Sequence, residues 1–264
     1  KKTIKKSSLL DEPFYIYNHK KIFRKVTTDQ IIFCGDSHVE FLTRTNLIIN
    51  EKAKIKPLSL WLGPKTIIGF SSDKKIQSRL KNILKKIKIK NNRVIVLCLG
   101  SIDIRTTIGF LLATKTIESA SVCIDLILRS YISINEGIMK VLEDDINTKV
   151  AFISVPPASC SKGIDIHTCS AEEAIAYQKD STYTIFGTPL ERSEWTLKLN
   201  NKFKKVSDER GWHFVDNYSA YKLITDSRAY FIDKKYTFDN VHIDEPRLYK
   251  QTIINTINYF NSYR

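Results

Sequence analysis

Five short runs rich in β-branched and aromatic residues recur along the chain: QIIFC (30–34), PLSLWL (57–62), RVIVLCL (93–99), KVAFISV (149–155) and WHFVD (212–216). Each is nearly continuous in apolar residues, the pattern of strands buried on both faces. Helical patterns lie between them. Ile76, Leu80, Ile83, Leu84 and Ile87 mark one face of a helix over about 75–89. A second helix is expected over about 114–145 and a third from near Glu191 to about 210. Leu248, Ile253, Ile254, Ile257 and Phe260 repeat at helical spacing near the C-terminus. Strands alternating with helices predict βαβ units and a parallel, doubly wound sheet. At 264 residues, with no internal repeat and no low-complexity linker, the chain reads as one α/β domain. Three α/β/α layers are expected around a central parallel sheet of about five strands. The domain is placed at 29–264, with 1–28 as an N-terminal extension.

Two stretches, 156–190 and 217–241, are polar and irregular in pattern, and each follows a predicted strand. Open α/β sheets bind ligands outside the carboxyl ends of their strands, so long loops there are candidate substrate contacts as well as surface decoration.

The stretch IIFCGDSHVEFL (31–42) poses a choice. Gly35, Asp36 and Ser37 are ordinary turn and helix-capping residues. They also fit a serine nucleophile held at a strand-to-helix elbow. A serine nucleophile needs a base within hydrogen-bond reach, and the base needs an orienting acid. Asp239 and His242, three residues apart just before the last predicted helix, can supply both from one short segment. A helix starting after Ser37 offers main-chain N–H donors for an oxyanion.

Gly35-Asp36-Ser37 followed far downstream by Asp239-x-x-His242 resembles the SGNH (GDSL-type) hydrolase superfamily, in the same chain order. The GDSH variant, WLGP (61–64), GSIDIR (100–105) and the segment from Glu191-Arg192 to Asn200 are similar to members linked to glycan O-acylation or polysaccharide biosynthesis. The resemblance implies an SGNH-like fold with Ser37 as nucleophile, His242 as base and Asp239 as its orienter. It implies the main chain of Ser37 as one oxyanion donor and Gly63 as a second, with Gly69 the alternative. Gly100, Asp103 and Arg105 of the third-strand motif become candidates for oxyanion or substrate contact. The family's motif carries an asparagine donor where this chain has Ile102, so Arg105, Asp103 or a loop residue must substitute or the hole is weaker. Arg105 could also grip a carboxylate or phosphate, or pair with Asp103. The implied activity is acyl-ester chemistry on a carbohydrate, as an O-acetyl esterase or a glycan O-acyltransferase. The alternative is a catalytically weak glycan- or partner-binding module. No cofactor is expected for an esterase; acetyl-CoA is the expected donor for a transferase. Association with glycan-assembly enzymes is a further expectation.

The remaining signals are bland. His38 reads as a helix-start residue that contacts substrate or packs, His213 as a strand residue, Trp61 and Trp212 as core or core-edge side chains, and Trp195 as either a core side chain or a sugar platform. His167, between Cys160 and Cys169, matches no zinc spacing, so no metal is expected. A net charge of +14 invites nucleic acid, but the lysines are spread along the chain with no recognisable binding motif, so no nucleic-acid partner is expected. No apolar run reaches the roughly 20 residues of a membrane span, and the first residues lack a signal peptide's apolar centre. Five cysteines, an odd number with two inside apolar runs, fit a reducing cytoplasm better than a disulfide framework.

Overall fold

A computed structural model describes residues 15–17, 30–36, 39, 58–86, 93–142, 148–181, 183–219, 221, 231–232 and 246–262. The five predicted strands are present within about two residues of their expected ends: β2 (Gln30–Gly35), β3 (Leu58–Trp61), β4 (Arg93–Cys98), β5 (Thr148–Ile153) and β7 (His213–Val215). All five run parallel, in the spatial order β3-β2-β4-β5-β7. The sequence pattern gave no warning of β1 (Tyr15–Tyr17), which pairs antiparallel with β3 and blunts that edge of the sheet.

Side chains alternate across the sheet with period two. Ile31, Phe33, Val96, Ala151, Ile153 and Val215 face one side, where Tyr249, Ile253 and Phe260 of the C-terminal helix α7 (Pro246–Ser262) cover them. Ile32, Cys34, Ile95, Leu97 and Phe152 face the other. There they meet α1 (Ile67–Ser72), α2 (Lys74–Lys86), α4 (Ala120–Val141) and α6 (Pro189–Arg210). The helix stripes explain the packing: Ile76, Leu80 and Leu84 of α2 are buried four residues apart. Tyr131 of α4 stacks on Phe203 of α6 and tilts against Phe152, both at 4.0 Å between ring centroids. Three α/β/α layers result.

Two expectations need correction. The helix expected over 114–145 starts at Ala120, because Thr114–Ser119 forms a turn with Lys115 at φ +54°. A turn of π-helix (Asp103–Thr107) and α3 (Ile108–Ala113) precede that turn. The stretch 156–190 is more ordered than its composition suggests. It contains α5 (Ala171–Asp180), opened by a capping box between Ser170 and Glu173. Only Ala174 of α5 is fully buried, so the helix left almost no apolar stripe to detect. The two irregular stretches also meet: β6 (Ala158–Ser159) pairs in parallel with β8 (Phe231–Ile232). No helix among the described residues is long and apolar enough to cross a membrane.

Candidate active site

The first parallel strand in the chain, β2, sits between the second, β3, and the third, β4. Strand order therefore reverses at β2, and a crevice opens outside the carboxyl ends of β2 and β4, the usual ligand position in such sheets. Close approach of the two strand ends requires glycine at 35, since a Cβ there would lie 1.9 Å from the Cys98 carbonyl oxygen. The Asp36 N–H donates to that oxygen at 3.3 Å, and the Asp36 carboxylate accepts from Ser101 Oγ at 2.6 Å. A buried acid (1% exposed) thus bridges the switch point. The chain turns sharply beyond it: Val39 N–H donates to Asp36 O at 3.2 Å, and Val39 is wholly buried against β2 and α7. Ser59 Oγ of β3 donates to the Val39 carbonyl.

Ser37, His38, Asp239 and His242 lie outside the described residues. Asp36, before Ser37, and the helix α7, after His242, lie within them. Asp36 and Ser101, from the carboxyl ends of β2 and β4, line a cavity of about 40 Å³ together with Ser154, Tyr221, Tyr249 and Thr252. Tyr249 and Thr252 belong to the first turns of α7, which begins four residues after His242. The residue before the nominated nucleophile and the helix after the nominated base therefore share one small cavity. Burial pushes the Tyr221 phenol up to about 12, so it is a neutral hydrogen-bonding group at ordinary pH. Asn217, wholly buried, ties this wall together. Its N–H donates to Ser154 Oγ at 2.8 Å, Nδ2 donates to Thr252 Oγ1 at 2.5 Å, and Oδ1 accepts from Asn255 Nδ2 at 2.7 Å.

The oxyanion and substrate candidates separate in space. Gly63 (φ +84°) lies two residues beyond β3, next to Leu62, whose N–H donates to Gly35 O at 2.8 Å. The alternative, Gly69, is inside α1, where its N–H is taken by the capping Thr66 hydroxyl at 2.9 Å. Gly100 follows β4 at φ +112°, a conformation only glycine adopts readily, and a Cβ there would meet Val155 at 2.8 Å. Ile102 is buried at 8% exposure and brings no polar atom. Asp103 is wholly buried and does not line the cavity; its Oδ2 accepts from Ile67 N–H at 2.8 Å. Desolvation pushes its carboxyl up to about 7, opposed by the N–H groups of Ile67 and Ile68 and aided by Asp36. Arg105 stacks on the Tyr183 ring at 5.6 Å and donates to Thr184 O at 3.5 Å.

The sequence reading missed two anchors of the stretch after β5. Arg192 is wholly buried, and its guanidinium donates to four main-chain carbonyls: Phe186 at 3.3 Å, Ser159 at 3.1 Å, Gly187 and Ser161. Asn200, two turns on, pairs with Val155 like a strand, accepting from its N–H at 2.8 Å and donating to its carbonyl at 2.9 Å. Both lie in the Glu191–Asn200 segment flagged above, but nothing local in that sequence told which groups they hold. His167 pairs with Glu191 at 2.7 Å.

No protein-family model matches the chain, and no curated protein matches it in sequence. Solved structures do resemble it. A Bacteroides fragilis protein assigned as an acylhydrolase aligns over 94% of each chain at 15% identity, with a TM-score of 0.55. A Streptococcus pneumonia protein described as a platelet activating factor aligns over 92% of this chain and 89% of its own, at 16% identity and TM-score 0.51. A lipase from a goat rumen metagenome aligns over 88% and 97%, at 12% identity and TM-score 0.51. The chain has an SGNH-like fold. Gly35 and Asp36 sit at the end of β2, at the point where this chain's strand order reverses.

Proposed function

We propose that this chain performs serine-dependent acyl-ester chemistry on a carbohydrate through an acyl-enzyme on Ser37. Convergence carries the reading. Asp36 precedes Ser37, while Tyr249 and Thr252 follow Asp239 and His242, and all three flanking residues line one cavity at the carboxyl edge of the sheet. Residues some 200 positions apart in the chain meet there because α7 packs on the face of the sheet that β2 belongs to. The acylhydrolase and lipase assignments of structures with this fold agree with ester chemistry, as an analogy of fold.

In the proposed reaction His242 accepts the Ser37 proton as Oγ attacks the ester or thioester carbonyl, and Asp239 holds the imidazole in the required tautomer. Main-chain N–H groups of Ser37 and Gly63 stabilise the oxyanion. Collapse breaks the bond to the leaving alcohol or thiol, which takes the proton from His242. Water or a sugar hydroxyl, deprotonated by His242, then releases the acyl group. Water makes the protein an O-acetyl esterase; a sugar hydroxyl, with acetyl-CoA as donor, makes it a glycan O-acyltransferase. The five cysteines are free, which fits the proposed reducing, cytoplasmic setting; association with glycan-assembly enzymes is part of the proposal. Residues 29–264 form the proposed catalytic domain, and Tyr15–Tyr17 of the preceding extension adds to its sheet. A second reading, a weak SGNH-fold module that holds a glycan or a partner, is favoured by the buried, apolar Ile102.

A fluorophosphonate probe followed by peptide mass spectrometry tests the reading. Modification is expected on Ser37 alone, because only a base-paired serine is nucleophilic near neutral pH. Undiminished labelling of Ser37→Ala refutes the assignment, and no labelling of the native chain favours the binding module.

A further inference from the structure

Ile102 shifts the work of oxyanion stabilisation onto the main chain. With no side-chain donor at that position, the proposed hole depends on where the backbone of 62–67 sits. That segment has two tethers. At one end Leu62 N–H donates to Gly35 O of β2 at 2.8 Å. At the other, Ile67 N–H donates to Asp103 Oδ2 at 2.8 Å, joining residues 36 positions apart. Between them Lys65 N–H donates to Gly63 O at 2.8 Å, so the intervening turn is compact and a shift at Ile67 passes back to Gly63.

Asp103 has no other evident task. It is wholly buried, it does not line the cavity, and its Oδ1 has no hydrogen-bond partner among the described residues. Keeping a carboxyl group there costs desolvation, which a purely apolar core position would avoid. Its setting also aims it: the first turn of the π-helix after β4 directs the carboxyl at the start of α1 instead of at solvent. Among the titratable side chains of the described residues Asp36 acts on it electrostatically, with the Ile67 and Ile68 N–H groups opposing, and Asp103 in turn helps to raise the Cys123 thiol.

The geometry points to Asp103 as a positioning residue that holds the Gly63–Ile67 segment in place as the oxyanion wall, in compensation for the missing asparagine at 102. This inference rests on the serine chemistry proposed above. What matters is an acceptor oxygen facing Ile67 N–H, so the isosteric Asp103→Asn keeps the function and the isosteric Asp103→Leu loses it.

The test is the inactivation rate of the full chain by a fluorophosphonate, resolved into the limiting rate and the half-saturating concentration, beside a thermal melt. Asp103→Leu is expected to lower the limiting rate 30- to 100-fold, toward the loss of about 10²–10³ on removing one oxyanion donor, with half-saturation within twofold. Asp103→Asn is expected to recover the rate to within about threefold, which a loss of stability alone does not explain. A folded Asp103→Leu that reacts like the native chain overturns the inference, as does a loss confined to half-saturation. If Asp103→Leu does not fold, Asp103→Asn decides: a tenfold or greater loss without a lowered melting temperature overturns it, and a native-like rate supports it. Native chain that is never labelled on Ser37 sinks the serine chemistry itself, an outcome distinct from all of these.

Discussion

Two buried acids stand on either side of the strand β4 exit, and they are held differently. Asp36 accepts from Ser101 Oγ at 2.6 Å, while Asp103 relies on main-chain N–H groups and retains one oxygen without a partner. The second arrangement leaves a signature in stability. Burial raises the Asp103 carboxyl from 3.8 to about 7, so between those values the folded chain keeps a proton that the unfolded chain releases. Stability contributed by this group is therefore fully present below about pH 4 and falls as pH rises through 7, by up to about 4 kcal/mol. Asp103→Asn, which cannot ionise, removes that slope. Urea titrations from pH 4 to 8.5 are expected to show the variant gaining on the native chain as pH rises. A gap that stays constant over this range shows that Asp103 titrates normally.

Helix α6 is the element that makes an ordered wall out of residues 156–188. Its start is secured by a capping box between Thr188 and Glu191 with Pro189 in the first turn, and its end by Gly211 at φ +64°. From this rigid rod Arg192 reaches the carbonyls of two separate loops, and Asn200 holds the end of β5. Because β6 pairs with β8, the grip on Ser159 extends to the stretch after β7. Arg192→Met removes donors from four carbonyls at once, and each buried carbonyl left unpaired costs about 1–3 kcal/mol before relaxation. A net loss of about 3–5 kcal/mol in chemical denaturation is expected. Arg192→Lys should rescue little of it, since a single ammonium cannot span the fork's acceptors. A loss under about 1 kcal/mol for Arg192→Met refutes the anchoring role. The matching hub on the opposite side is Asn217, which joins β5, the turn after β7 and helix α7 through side-chain hydrogen bonds.

At the scale of the molecule, a doubly wound sheet with helices on both faces sets its crevice at the β2–β4 switch point. Whether water or a sugar hydroxyl enters that crevice decides the reaction. A transferase must keep water from its acyl-enzyme. Incubation with acetyl-CoA, with and without candidate glycans, is expected to release CoA faster when glycan is present and to leave acetyl on the sugar. Loss of acetate from a pre-acetylated glycan with acetyl-CoA inert makes the protein an esterase. The strands, the layer architecture and the order of the GDS and DxxH motifs were legible in the sequence. Periodicity of apolar residues and turn chemistry are local properties, and five buried strands between helices leave few other solutions. The sheet's sixth strand, the pairing of Ala158 with Phe231 and the targets of Arg192 were not. Nor was the role of Asp103, which reads as a substrate residue beside Arg105 until its carboxylate is seen turned toward Ile67. Each of these depends on which main-chain group lies across a gap of dozens of residues, and side-chain identity alone carries no record of that. Ser101 meets Asp36 across 65 residues only because β2 and β4 became neighbours, a fact decided by the winding of the whole sheet.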